Sequence, residues 1–220
     1  MQEVTLMWTD VIRTLGGGKD ILLFATATTG LKPNRDELIA FSYNKIVEDG
    51  SIISDTIFRG DADMDLLDKS RQYHLLSASI LCEKGFDGDD FGKAIADVMK
   101  DCTCLTYRPS FQYSFLDSVV GHIDGPYTYL YDLPLLVQGA ASKMLFDELE
   151  EAHTLDSLEK FLMSVFKTSP SIKSVCERFS ISYDVPPSVY PVEHYADCLL
   201  ALWNKVLANM SFDCQEDLLE

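Results

Sequence analysis

The chain has 220 residues, of which 47% are hydrophobic, and its 35 acidic side chains against 18 basic ones give a formal net charge of −17 at pH 7. This length suits one substantial core, because two separate domains would each be small. No stretch rich in Lys or Arg is present, so the chain lacks the basic surface that neutralises phosphates, which argues against tight nonspecific binding of nucleic acid.

The predicted elements form one domain over residues 1–220, with a core over about 20–208. It begins with an amphipathic helix over 2–15, which Gly16, Gly17 and Gly18 end. Strands are predicted over 20–25, 37–47, 51–59, 102–107 and 127–131, and helices over 91–99, 111–123, 133–151, 155–166, 172–179 and 194–209. An acidic tail over 211–220 is expected to fray. The order predicts an α/β fold: a mixed five-stranded sheet of three antiparallel hairpin strands and two parallel strands, flanked by helices.

Hydropathy and cysteine spacing predict the cellular location of the protein and the role of its cysteines. The chain has no run of about 18 apolar residues and no signal-peptide pattern, so we expect a cytoplasmic protein without a membrane partner. The cysteines lack the paired spacing of a zinc site, and reduced thiols packed in the core are the expectation. They are Cys82, Cys102, Cys104, Cys176, Cys198 and Cys214.

Residues 20–31, DILLFATATTGL, stand out as an apolar strand that breaks into small polar residues and a glycine. Such a strand typically ends at the cleft where α/β proteins carry out chemistry. Here the positions expected to face that cleft carry the methyl groups of Ala25 and Ala27.

The segment 22–46, LLFATATTGLKPNRDELIAFSYNKI, resembles the first motif of the DnaQ-like, or DEDD, 3′–5′ exonucleases, which have an RNase H-like fold. The Thr-Thr-Gly-Leu turn at 28–31 and Pro33 match that motif. The two positions that carry catalytic carboxylates in the family fall on Ala25 and Ala27.

Two further segments resemble the other motifs of this family. LTYRPSFQYSFLDSV, at 105–119, is similar to the second motif, with Gln112 where the family has Asp. VEHYADCLLALWNKVL, at 192–207, is similar to the third, in which Asp197 keeps the last carboxylate. Val192 then occupies the position of the general-base histidine, whereas a shift of two residues would give that role to His194.

The resemblance implies a phosphodiesterase that uses two Mg²⁺ or Mn²⁺ ions held by four carboxylates. An alanine methyl cannot bind a metal, and Gln112 offers one neutral carbonyl oxygen. We therefore expect no metal cofactor in the chain as written.

Three hypotheses remain open at this point. The first is a catalytically inactive exonuclease-like domain that acts as a binding or scaffold domain in nucleic-acid metabolism, with a protein partner or a second copy, or with weakly bound single-stranded nucleic acid. The second is a 3′–5′ exonuclease with two Mg²⁺ or Mn²⁺ ions in its parent form, disabled here by the two alanines. The third places a shifted metal on Asp20, Asp117 and Asp197.

The remaining side chains of the predicted cleft have structural as well as functional interpretations. Thr26 and Thr28 shape the turn or bind phosphate, and Arg108 pairs with Asp197 or binds an anion. Gln112 is expected on the helix surface. Asp197 is either a vestigial ligand or a first-turn charge favoured by the helix dipole, and His194 is either a surface or capping residue or a base.

Overall fold

The computed structural model describes residues 4–120, 130–142, 154–208 and 210–214. Predicted segments at 121–129, 143–151 and 215–220 lie outside them. The strands are β1 Val4–Met7, β2 Asp20–Thr28, β3 Leu38–Ile46, β4 Ile52–Phe58, β5 Cys102–Thr106, β6 Leu130–Asp132 and β7 Ser211–Cys214. The helices are α1 Trp8–Gly16, α2 Met64–His74, α3 Ala78–Lys84, α4 Gly88–Met99, α5 Pro109–Val120, α6 Leu133–Ala141, α7 Leu155–Phe166, α8 Ile172–Arg178 and α9 Pro191–Leu202, which continues as a π-helical turn, Trp203–Leu207.

Five strands form the central sheet in the order β4-β3-β2-β5-β6. β2, β3 and β4 pair antiparallel, whereas β5 pairs parallel with both β2 and β6. The predicted mixed sheet of three hairpin strands and two parallel strands is confirmed. Its central strand, β2, is covered on both faces, which explains the nearly continuous apolar run of its sequence.

Side chains of β2 alternate between the two faces of the sheet and enter different cores. Leu22 and Phe24 pack with α4 and α5, and Ile21 and Leu23 pack with the N-terminal helix and the helical second half. Ala25, farther along the strand, packs under α9. The sheet therefore brings the end of β2 and the start of α9 together.

The two ends of the chain differ from the prediction. Instead of one helix over 2–15, Val4–Met7 is a strand and the helix begins at Trp8. That strand pairs antiparallel with Ser211–Cys214, at the start of the predicted frayed tail. Local periodicity could not show this pairing, because each strand needs a partner from the opposite end of the chain. The predicted helix end is confirmed, since Gly17 adopts the left-handed conformation with φ 72°.

Helix α9 begins three residues before the predicted start at His194. Pro191 occupies its first turn, where a missing N–H costs nothing. The earlier start places Val192 within the helix, on its buried face.

Most of the cysteines are core residues, as predicted. Cys102, Cys104, Cys176 and Cys198 are buried free thiols, whereas Cys82 is exposed; the side chain of Cys214 lies outside the described part of the chain. None of the helices within the described ranges is long and apolar enough to cross a bilayer.

Candidate functional site

The predicted carboxylate positions on β2 lie in a packed apolar cluster. Ala25 is 0% exposed and Ala27 is 8% exposed. Val192 and Ala196 of α9 pack in this cluster with them, together with Phe58 of β4. The volume beside Ala25 is thus occupied by hydrocarbon, and the cleft is closed at this residue.

A cavity of about 240 Å³ opens beyond Ala27, toward the loop after β2. It is bounded by the end of β2, α2, the start of α5 and the start of α9. Its lining residues are Thr26, Ala27, Thr28, Leu31, Tyr73, His74, Tyr107, Arg108, Phe111, Pro191, Val192 and Tyr195. We call this cavity the cleft. Its lining is mostly aromatic and apolar, with Arg108 as a cation.

Gln112 is buried in the first turn of α5, not on the helix surface as predicted. It is 0% exposed, and its Oε1 accepts a short hydrogen bond from Thr26 Oγ1. Its Nε2 lies 3.4 Å from the Tyr107 carbonyl oxygen, to which it donates. Because α5 starts directly after β5, its first turn rests against β2. Gln112 therefore fixes α5 to the strand through a neutral hydrogen bond.

We expect Gln112→Leu to lower the free energy of unfolding by about 1–3 kcal/mol, because it leaves the buried Thr26 hydroxyl without its acceptor. The double variant Gln112→Leu with Thr26→Val should recover part of that loss, since neither polar group then remains. Urea unfolding of the wild type, both single variants and the double variant measures the coupling. Strictly additive losses would contradict the assigned hydrogen bond.

The threonines after the strand hold the turn together. Thr28 Oγ1 donates to the Gly30 carbonyl oxygen at 2.6 Å, and the Glu37 N–H donates to Thr29 Oγ1 at 2.8 Å. These bonds favour the predicted turn-shaping role over a phosphate-binding one, because the Thr28 proton already has an acceptor.

Arg108 lies between β5 and α5 with a left-handed backbone, φ 51°. Its carbonyl oxygen accepts from the N–H groups of Phe111 and Gln112, and its own N–H donates to the carboxyl of Asp132. Its side chain is exposed and lines the cleft. The backbone bonds hold the residue in a conformation that aims a cation at the cleft.

Asp197, the candidate last carboxylate, faces another part of the sheet. It is exposed, and its Oδ1 lies 3.4 Å from Nδ2 of the buried Asn44 on β3. It lines a groove over β3 and β4, whereas Arg108 lines the cleft. The structure therefore does not bring these two predicted partners together.

His194 points away from the alanines of β2. Its ring lies 6.4 Å from the ring of Tyr183, and its Nε2 lies 3.5 Å from Cys198 Sγ. Successive helical residues are rotated by about 100°, so Val192, two positions earlier, faces Ala25 instead. The structure thus brings Val192, and not His194, to the position beside these alanines.

Two further titratable groups line the cleft. The buried His74 accepts the Leu76 N–H at Nδ1, and its Nε2 lies 3.1 Å from Ser70 Oγ, which itself donates to a backbone carbonyl. Burial lowers the pKa of His74, and desolvation raises the pKa of Tyr107 to about 12. Tyr107 is therefore protonated at pH 7, and the lone pair of His74 Nδ1 already accepts the Leu76 N–H, so neither residue serves as a base there.

The donor set of the site does not fit a pair of divalent metal ions. Of the four positions at which the sequence resemblance places carboxylates, Ala25, Ala27 and Gln112 carry no charge, and Asp197 faces Asn44. Across the described ranges, no group of three or more His, Cys, Asp or Glu side chains could hold one ion. This excludes the predicted alternative set of Asp20, Asp117 and Asp197, of which Asp20 forms an ion pair with Lys45 at 3.1 Å.

An acidic pair behind α5, the buried Asp132 and the half-buried Glu159, was not predicted. Asp132 accepts from Ser169 Oγ at 2.6 Å and from the Leu135 N–H at 3.0 Å, while Glu159 Oε1 accepts the Asp132 N–H at 2.6 Å. Burial raises the pKa of Asp132 and raises that of Glu159 to about 7. The Asp-Leu-Pro sequence at 132–134 marks Asp132 as a helix N-cap, but nothing local indicates Glu159.

The sequence matches no protein-family profile and no curated protein, but its fold matches solved structures. A product-bound exonuclease I superimposes with a TM-score of 0.55 at 13% identity, covering 86% of this chain and 44% of that one. E. coli exonuclease I in complex with a dT13 oligonucleotide superimposes with a TM-score of 0.54 at 12% identity, covering 86% of this chain and 41% of that one. The chain thus spans less than half the length of these solved structures. At this level of identity the likeness establishes the fold, which is the predicted RNase H-like fold of exonucleases.

Proposed function

We propose that this chain is a DnaQ-like (DEDD) exonuclease relative with degenerate motifs, which does not hydrolyse phosphodiesters and acts as a binding or scaffold domain in nucleic-acid metabolism. The observation that carries the proposal is the packing of Ala25 and Ala27 against Val192 and Ala196. Methyl groups occupy the volume in which a metal-dependent exonuclease requires carboxylates.

The second motif supports the same conclusion. Gln112 is buried and bonded to Thr26, so its carbonyl oxygen already serves the fold. The changes at Ala25, Ala27 and Gln112 are also mutually compatible, since each is satisfied by packing or by a hydrogen bond. A site adapted in this way favours an inactive domain over an active enzyme disabled by two alanines.

The cleft supports a binding role more than a catalytic one. Tyr73, Tyr107 and Tyr195 offer aromatic faces or edges, and Arg108 offers a cation; stacking and a cation are the elements with which proteins hold single-stranded nucleic acid. E. coli exonuclease I was solved with a dT13 oligonucleotide. The net charge of −17 makes weak binding the expectation for this chain.

We expect the purified chain to leave 5′-labelled single-stranded DNA and RNA intact in Mg²⁺ or Mn²⁺, because the site lacks ligands for a metal pair. Denaturing gels beside an active exonuclease I, with Asp197→Asn run in parallel, provide the measurement. Metal-dependent shortening from the 3′ end that co-purifies with the chain and disappears in Asp197→Asn would overturn the proposal.

A further inference from the structure

A groove of about 620 Å³ lies over β3 and β4, next to α9 and outside the cleft. The segment around Phe86 closes one end, and α9 forms one wall. Its lining residues are Ser42, Tyr43, Asn44, Ser54, Asp55, Thr56, Phe58, Lys84, Phe86, Val189, Glu193 and Asp197. We call it the β4 groove.

The floor of the β4 groove is polar. Ser54 Oγ donates to Asn44 Oδ1 at 2.5 Å, and Thr56 Oγ1 lies 3.0 Å from Ser42 Oγ. Asn44 in turn donates to Asp197. Ser42 and Asn44 are 4% and 1% exposed. Sheet positions that are this deeply buried under a helix normally carry apolar side chains. The hydrogen-bonded pairs keep a polar surface under an open groove.

Part of the adjoining strand edge is unpaired within the described ranges. At the end of β4, the Phe86 N–H donates to the Phe58 carbonyl oxygen at 2.8 Å, and the Gly60 N–H donates to the Phe86 carbonyl oxygen at 2.7 Å. Backbone groups alternate along a strand, so Ser54 presents its N–H and C=O to the same side. Before Phe58 no strand pairs with this edge in the described part of the chain, although the Thr56 N–H donates to Asp55 Oδ1 at 2.7 Å, and Ile53 is 52% exposed.

The charges that line the groove favour a basic occupant at this edge. Asp55, Glu193 and Asp197 line the groove against a single cation, Lys84. An extended peptide added to β4 would direct every second side chain over the face that carries Ser54 and Thr56. Lys or Arg at those positions would point toward Glu193 and Asp197, whereas Asp55, between Ser54 and Thr56, points to the other face of the sheet.

We propose that the open half of β4 and the β4 groove bind an extended basic segment of a partner protein by strand addition. The backbone of the segment pairs with β4 around Ser54, and its alternate Lys or Arg side chains enter the groove toward Glu193 and Asp197. This goes beyond the proposed function, because the surface lies outside the cleft. Binding there does not depend on whether the chain hydrolyses nucleic acid.

The test is fluorescence anisotropy with the full chain and a labelled peptide of alternating Lys and Val, seven residues long, without added metal. We expect saturable binding that weakens about tenfold in Glu193→Gln with Asp197→Asn, because two charge contacts are lost. Ser54→Pro should weaken it at least as much, since proline removes an outward N–H that pairs with no strand in the described ranges.

Matched variants separate these effects from total charge and from folding. Glu177→Gln with Asp97→Asn removes the same charges from exposed sites elsewhere and should retain wild-type affinity. Ser54→Ala removes the hydroxyl that bonds Asn44 but keeps the backbone N–H, so its loss of affinity should be smaller than that of Ser54→Pro. Far-UV circular dichroism checks that each variant is folded. Equal affinity for the matching Glu-Val peptide or for a single-stranded oligonucleotide would overturn the proposal. Wild-type affinity for the Lys-Val peptide in Glu193→Gln with Asp197→Asn would also overturn it.

Discussion

Replacing Ala25 by Asp is expected to lower the free energy of unfolding by about 3 kcal/mol or more, because the carboxylate would enter a fully buried apolar cluster without a cation. Ala25 is 0% exposed and packs with Val192 and Ala196. The new group must either stay neutral or force the cluster apart. Urea unfolding followed by circular dichroism measures the loss, and Ser79→Asp, which adds an acid to the exposed first turn of α3, should change little.

The double variant Ala25→Asp with Ala27→Glu distinguishes the two main hypotheses on the origin of the alanines. If the fold has adapted to alanine, the variant is destabilised further, and titration calorimetry detects no Mg²⁺ binding. A stable variant that binds Mg²⁺ and shortens single-stranded DNA would instead show that the parent protein is an active exonuclease disabled at these two positions.

Glu159→Gln is expected to stabilise the protein above pH 7 by up to about 3 kcal/mol, and to have little effect near pH 4.5. Burial raises the pKa of Glu159 from its ordinary 4.5 to about 7 in the folded state. As the pH rises through 4.5, the unfolded chain ionises first, so stability is lost until the folded carboxyl also ionises near pH 7. An amide stays neutral throughout and still accepts the Asp132 N–H.

The measurement is urea unfolding of the wild type and Glu159→Gln at intervals from pH 4.5 to 8. The difference between the two curves removes the contribution of groups that titrate independently of Glu159; Asp132, whose charge also raises the pKa of Glu159, is present in both proteins. Glu177→Gln, on the exposed face of α8, controls for the loss of one negative charge and should give a nearly constant difference. A difference that does not grow with pH would show that Glu159 ionises normally in the folded protein.

Some features were predictable because their signals are local. The apolar run of β2 and the hairpin turn after β3 identified three antiparallel strands, and Gly17 ended the first helix as expected. The motif around Ala25 and Ala27 predicted the exonuclease fold that the solved structures share. Such features depend on spacing and turn chemistry within a few residues, which the sequence displays directly.

Other features depended on contacts between distant segments. The pairing of Val4–Met7 with Ser211–Cys214 joins the ends of the chain, and the burial of Gln112 required α5 to rest on Thr26 of β2. The acidic pair of Asp132 and Glu159 likewise comes from separate elements. Neither the periodicity nor the composition of a segment shows which distant segment it will contact.

The sequence by itself determined the central five-stranded sheet, most of the longer helices and the absence of carboxylates at Ala25 and Ala27, because these follow from residue type and local pattern. Only the tertiary structure decided what replaced the carboxylates and where the remaining polar groups point. The rotation of α9 brings Val192 to the alanines and carries Asp197 to Asn44. Since helix rotation is fixed by packing against the whole sheet, the direction of each side chain could not be obtained from the motif alone.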